Sequence, residues 1–229
     1  MKVLHMQGSR DKLDRTVIKK IPSIYRRSLR EIWEDLWTML VVNSLWIIAN
    51  LLVIPGPPAT IALQAYANRI VHNEVTDLSD VWQAFKRSWG VGWHWGAVNL
   101  AGVGLLAVNY YLVSNALDVN LGSYLQGLYI AVGLAWFMLQ FFALPFLFEQ
   151  EQMKVSLALR NSALMIGRNL RFSFLFGLSL LVFLALATLT FALGIMFGAV
   201  FLALAGNFAV NDLLEPIRAG RNIPPTHDL

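Results

Sequence analysis

The stretch Leu45-Trp-Ile-Ile-Ala-Asn-Leu-Leu-Val-Ile-Pro-Gly-Pro-Pro-Ala-Thr-Ile-Ala-Leu63 decides the architecture. Its first half is an apolar run that suits a membrane helix. The Pro55-Gly56-Pro57-Pro58 break cannot continue a regular helix, because proline lacks the N–H and clashes with the preceding turn. Beyond the break the chain is apolar again. Residues 36–54 are read as the first membrane crossing, which ends at this break, and the apolar residues after it as the start of a second, shorter segment. Outward from this stretch, no Asp, Glu, Lys or Arg occurs in residues 36–68, 88–117, 119–148 or 172–211. Roughly 20 apolar residues at about 1.5 Å each cross a bilayer. Of the 229 residues, 57% are hydrophobic and only 14% charged, against about 25% charged in a soluble domain.

The expected fold is therefore all-α: a polytopic membrane helical bundle of about six segments plus cytoplasmic amphipathic helices. The segments are expected near 36–54, 57–72, 91–114, 123–148, 172–189 and 191–211, forming one transmembrane domain over 36–212. The second is short for a roughly 30 Å hydrocarbon core and reads as short or re-entrant. Residues 1–35 read as a basic cytoplasmic segment, without periodicity up to residue 16, and 213–229 as a cytoplasmic tail. Ile21, Ile24, Tyr25, Leu29, Ile32, Trp33 and Leu36 recur at helical spacing among Lys19, Lys20, Arg26, Arg27 and Arg30, which predicts an amphipathic helix lying on anionic lipid. Leu78, Val81, Trp82, Phe85 and Trp89 share the apolar face of a second such helix, with Asp80, Gln83, Lys86 and Arg87 elsewhere. That face, and the segment 152–166, are expected to dock on partner subunits.

Charge placement sets the orientation. Of 18 Lys and Arg residues, nine precede Leu36, three lie at 69–87, four at 154–171, and two are Arg218 and Arg221. If 57–72 returns to the side it came from, all of them lie on one side, and both termini are cytoplasmic at a plasma membrane. The net charge of +4 thus reports topology and not nucleic-acid affinity.

The chemistry-bearing residues are few. There is no cysteine, hence no thiolate metal site or thiol nucleophile. His5, His72, His94 and His227 are scattered without an HExxH, and neither a GxSxG elbow nor a P-loop occurs. No catalytic residue, cofactor or metal site is expected, and the chain reads as not an enzyme. His94, between Trp93 and Trp95, fits an interfacial aromatic belt. The acidic clusters Glu31-Glu34-Asp35, Glu74-Asp77-Asp80 and Glu149-Glu151 read as solvated loop faces, and no charge is expected deep in a span. Asn43, Asn50, Asn99, Asn109, Asn207 and Asn211 are the polar intramembrane residues, expected to bond between helices; the sharper reading is a pocket for a neutral solute. Gly92–Gly96 and Gly194–Gly198 are small-residue pairs that allow close helix packing. Val81-x-x-Ala84-Phe85-Lys86-x-Ser88 echoes Val155-x-x-Ala158-Leu159-Arg160-x-Ser162, each before an apolar span.

Leu45-Trp46, Pro55, Pro57-Pro58-Ala59-Thr60, and Trp82 with Phe85-Lys86 together resemble the YesL-like bacterial membrane proteins, domain-of-unknown-function family 624. The resemblance runs from Leu45 to Leu112, about a third of the chain. It implies a multi-helix membrane protein, frequently encoded near binding-protein-dependent sugar importers, and supplies no catalytic residue. The positions carried over are Pro57, Pro58, Ala59 and Thr60, a helix start and a packing motif. The expected function is accessory to solute, plausibly carbohydrate, uptake, with the lipid bilayer and ABC-importer subunits as partners. The alternative is a transporter or channel for a neutral solute in its own right.

Overall fold

The computed structural model describes residues 19–116, 119–189 and 191–219, and every element among them is helical. In chain order these are α1 (Ile21–Glu34), α2 (Leu36–Leu51), α3 (Gly56–Val71), α4 (Leu78–Arg87), α5 (Trp89–Ala116), α6 (Val119–Phe146), α7 (Val155–Arg168), α8 (Leu170–Leu189) and α9 (Phe191–Ala219). The segment before residue 19, the loop around Asp118 and the tail beyond Ala219 lie outside the described residues.

Four helical stretches are long and apolar enough to cross a membrane: Trp89–Asn115, Gly122–Phe146, Leu170–Thr188 and Gly194–Ala219. They coincide with the last four expected segments. The final one runs further than expected: α9 continues through Pro216 to Ala219, so the first seven residues of the expected tail are helical.

The quoted stretch forms a helical hairpin. α2 and α3 have 16 residues each, about 24 Å apiece. α2 reaches a spanning length only together with α1, and that pair is bent by 101° at Asp35. Where the hairpin turns is fixed by α5. A Cβ on Gly92 would lie 2.6 Å from the Pro58 backbone, and one on Gly96 would lie 3.0 Å from the Pro57 ring. The proline break thus sits beside the first two turns of α5. From Gly96 to Ala116 another roughly 30 Å of helix continues beyond it. Residues 36–54 and 57–72 thus form the two arms of one helical hairpin whose turn lies level with the start of α5. Its tip is exposed and apolar, with Leu51, Leu52, Val53 and Ile54 all more than half accessible. Val53 adopts φ 64°, a left-handed conformation that β-branched residues rarely take.

α9 and α3 are the structural centre. α9 packs on α1, α2, α3, α6 and α8; α3 packs on α2, α4, α5, α6 and α9. An aromatic spine fills the α6–α8–α9 junction: Phe172 stacks on Phe176, Phe176 meets Phe141 and Phe142, and Tyr25 stacks on Phe176 and Phe201. α1 therefore differs from its expected role. Ile24 and Ile32 are buried in the protein, not in lipid, and the Tyr25 hydroxyl bonds Ser179 at 2.5 Å. What α1 leaves outward is Arg26, Leu29, Arg30 and Trp33, followed by Trp37 on α2. The apolar stripe was wide enough to serve both a protein face and an outer one.

The sequence echo has a structural counterpart. α4 and α7 are short helices that each lie against the preceding helix, and each leads within two residues into a long apolar one. Ser88 and Ser162 are both buried, and Ser162 donates to the Leu139 carbonyl at 2.7 Å.

Candidate functional site: an ionic pole and an apolar groove

Charged residues from distant parts of the chain meet at one pole of the bundle. The start of α1, the end of α3, the start of α4, the turn after α6 and the end of α9 all contribute. Lys20 pairs with Glu215 at 2.9 Å and Arg27 with Asp212 at 2.5 Å. The Arg27 guanidinium also lies 4.5 Å from the Phe208 ring centre. Arg69 holds Glu74 at 2.9 Å and Asp80 at 2.8 Å, which ties α3 to α4. Asp77 and Asp80 cap the α4 N-terminus reciprocally, each side chain accepting from the other's backbone N–H at 3.0 Å. A hydrogen bond from the Ser79 side chain, with the Asp80 N–H, holds the Asp77 carboxyl below its ordinary pKa.

Glu149 is the centre of a buried network. Its side chain is 1% exposed, accepts from Arg218 and from Asn68 Nδ2 at 3.0 Å, and lies 3.5 Å from His72 Nε2. Asn68 Nδ2 also donates to Asn207 Oδ1 at 3.1 Å, and Asn207 Nδ2 donates to Gln64 Oε1 and the Ala203 carbonyl, both at 2.9 Å. Arg218 reaches Asn211 Oδ1 at 3.0 Å. The solvated-loop reading of Glu149 is thus overturned, and Asp212, one residue beyond the last expected segment, is likewise buried at 5% exposure, where it pairs with Arg27. A buried carboxylate persists only when paired and fully hydrogen-bonded, and Glu149 is both. The signal for it in the sequence was Gln64 and Asn68, four apart and so on one face of α3.

The six asparagines divide. Asn207 joins this network. Asn43 inserts its amide into one rung of α9: its Nδ2 donates to the Ile195 carbonyl at 2.6 Å, and its Oδ1 accepts from the Ala199 N–H at 3.0 Å and the Val200 N–H at 3.2 Å. Ile195 C=O and Ala199 N–H are the two ends of a helical i to i+4 bond, so α2 is clamped to the α9 ladder itself. Asn50, Asn99 and Asn109 bond the carbonyl four residues back on their own helix, the local bonding open to short polar side chains. Asn211 accepts from Arg218. Gly92 and Gly96 serve packing inside the bundle, as expected. Gly194 meets Ala187, whereas Gly198 faces open space.

Beside the ionic pole lies a polar cavity of about 390 Å³ lined by Asn68, Arg69, Glu74, Asp80, Gln83, Arg87 and Phe148, among others. On the other side of α3 runs an apolar groove of about 230 Å³. α2 contributes Leu45, Trp46, Ile48, Ala49 and Leu52, α3 contributes Ala59, Ala62 and Leu63, and α4 contributes Leu78, Val81, Trp82 and Phe85. Four of the five residues expected to form a docking face therefore line one groove. Trp89, the fifth, begins α5 and meets Phe85 edge-on. Trp46 donates to Thr60 Oγ1 at 3.1 Å, and Thr60 to the Gly56 carbonyl at 3.0 Å, so the Pro57-Pro58-Ala59-Thr60 motif buttresses the groove wall. Among the described residues, no group of three or more His, Asp or Glu side chains is placed to hold a metal ion.

Four apolar helices of spanning length, a proline-linked helical hairpin and, among the described residues, an ionic pole at one end of the bundle define a polytopic helical membrane protein. Within that class, residues 39–110 match the family described as Protein of unknown function, DUF624. This is the family whose motif residues the sequence carries, and the match covers the hairpin, α4 and most of α5. No curated protein and no solved structure matches the chain.

Proposed function

We propose that this protein is a non-catalytic membrane subunit accessory to solute uptake, and that the groove between α2, α3 and α4 receives an apolar helix of an importer's membrane subunit. The observation that carries the reading is the groove's composition: its 14 lining residues include no charged side chain, and Leu45, Ile48, Leu52, Leu78 and Trp82 remain substantially exposed. Exposed apolar surface in a membrane protein meets lipid by default; this patch differs in being a concave groove walled by three helices, and helix packing in membranes rests on such close van der Waals fit. Carbohydrate as the solute class, and a binding-protein-dependent importer as the partner, come from the family resemblance. The placement of both ends on one side is supported by the convergence of the start of α1, the α3–α4 turn, the α6–α7 turn and the end of α9 on one ionic pole; the plasma membrane comes from the family resemblance, and the cytoplasmic side from the clustering of basic residues. A photo-crosslinking residue at Trp82, with mild-detergent purification from the native membrane, tests the proposal. Importer membrane subunits should be captured; repeated capture of lipid alone would refute it. Since the chain has no cysteine, single introduced cysteines test the orientation directly. A thiol at Glu151 should resist labelling by a membrane-impermeant reagent in intact cells, and one at Ser114 should react.

The alternative, transport of a neutral solute by this chain alone, draws on the polar cavity at the ionic pole. Solute flux in proteoliposomes containing only this protein separates the two readings.

A further inference from the structure

α5 and α6 enclose a second cleft, of about 460 Å³, that is separate from both sites above. Two hydrogen-bond donors lie in its walls without partners. Gln140 is 6% exposed and accepts at Oε1 from the Trp95 indole N–H at 2.9 Å. Indole N–H is a donor only, so this bond fixes the amide orientation and turns Nε2 away from Trp95. Gln140 Nε2 has no acceptor in the structure, and neither does Trp136 Nε1. A buried unpaired donor costs roughly 1–3 kcal/mol, so two in one cleft are a liability unless something satisfies them.

The rest of the cleft narrows the chemistry. Val103, Leu106, Ile130 and Phe137 make it mainly apolar, and no ionisable Asp, Glu, Lys, Arg or His side chain lines it. Both of its helices have spanning length, and much of their outer surface is exposed and apolar. Gln140 and Trp136 are the seventh and eleventh residues from the end of α6, roughly 9–15 Å along the helix from that end. Both donor atoms are buried, and the Trp136 ring packs closely on Gly102 of α5, so a ligand reaches them only where α5 and α6 part at that contact.

We propose that this cleft is a lateral binding site for a membrane lipid, which inserts an acyl chain between the helices and presents an ester carbonyl to Gln140 Nε2 and Trp136 Nε1. An ester carbonyl supplies the acceptor that these two donors need and carries no charge into the cleft.

The test uses the whole protein in nanodiscs made from mixtures of diester phospholipid and its diether analogue, which has no carbonyl. Native mass spectrometry counts the lipid retained after release. The wild type should retain about one lipid and prefer the diester by up to about tenfold, the range of one or two net hydrogen bonds. Trp136→Phe keeps an aromatic side chain but removes the N–H with part of the indole, and Gln140→Leu removes the amide; each should reduce that preference. Because Gln140→Leu strands the Trp95 N–H and Trp136→Phe leaves a space beside Gly102, the helical circular dichroism of each variant is measured alongside, and the diester-to-diether ratio, not total lipid retained, is the readout. Equal retention of diester and diether lipid by the wild type, an unchanged preference in Trp136→Phe, or no retained lipid would overturn the proposal.

Discussion

Replacing Gly92 by Ala tests the packing that places the proline hairpin beside α5. The added methyl would stand 2.6 Å from both Cα and N of Pro58 and 3.0 Å from the Pro57 carbonyl carbon. Ordinary carbon contacts begin near 3.5 Å, so the two helices must separate by nearly 1 Å. The opposing atoms are backbone in the first turn of α3, so no side chain can rotate away. Overpacking of this kind costs about 1–3 kcal/mol. Ala also gains about 1 kcal/mol over Gly in helix propensity, which masks part of the cost. Gly90, two residues earlier in the same helix, removes that ambiguity: a Cβ there meets nothing within 4 Å. Gly90→Ala should therefore leave stability unchanged or raise it, and Gly92→Ala should fall about 1–3 kcal/mol below Gly90→Ala. The assay is loss of helical circular dichroism on titrating the detergent-solubilised protein with SDS. Pro58→Ala should not rescue Gly92→Ala, because the clash is with backbone that Ala also has. Gly96→Ala, whose methyl would meet the Pro57 ring, should be partly rescued by Pro57→Ala. Equal stability of the Gly90 and Gly92 variants would refute the placement of the hairpin.

Glu149→Ala should cost about 3–5 kcal/mol in the same assay, because it strands the largely buried Arg218 and the Asn68 amide; Glu149→Ala with Arg218→Met should cost clearly less than the sum of the two single variants. Asn43→Leu should cost about 1–2 kcal/mol, with hydrogen exchange rising at Ala199 and Val200. Because the folded-state pKa of Asp77 is lowered by Ser79 and the Asp80 N–H, its capping contribution is full above the ordinary carboxylate range. It is lost as pH falls through the lowered value. Acidification should thus fray the start of α4, read as earlier exchange of the Asp80 amide in the wild type, whereas Asp77→Asn should lose that acid dependence.

Four spanning helices and the grouping of basic charge were legible in the sequence because they depend only on local composition. A charge-free run of 20 or more residues has the same meaning in any fold. The proline break was legible for the same reason. The groove face was partly legible: Leu78, Val81, Trp82 and Phe85 show their common side through helical spacing alone, but their opposite wall on α2 is more than 20 residues away in the chain. Glu149 was misread because its burial depends on residues up to 85 positions away: Gln64, Asn68, Asn207 and Arg218. A carboxylate at the end of an apolar span looks solvated until the partners that neutralise it are placed in space. Likewise the outer half of the α1 stripe could not be separated from the half that Phe176 and Phe201 cover.

The sequence by itself determined that the chain is a helical membrane protein and where its apolar helices lie. Only the tertiary structure decided where the proline hairpin sits against the bundle, because that is set by the contact of Pro57 and Pro58 with Gly92 and Gly96. It also decided which polar residues are satisfied and which two donors remain open, since hydrogen-bond satisfaction belongs to pairs of groups in space and not to residues in a chain.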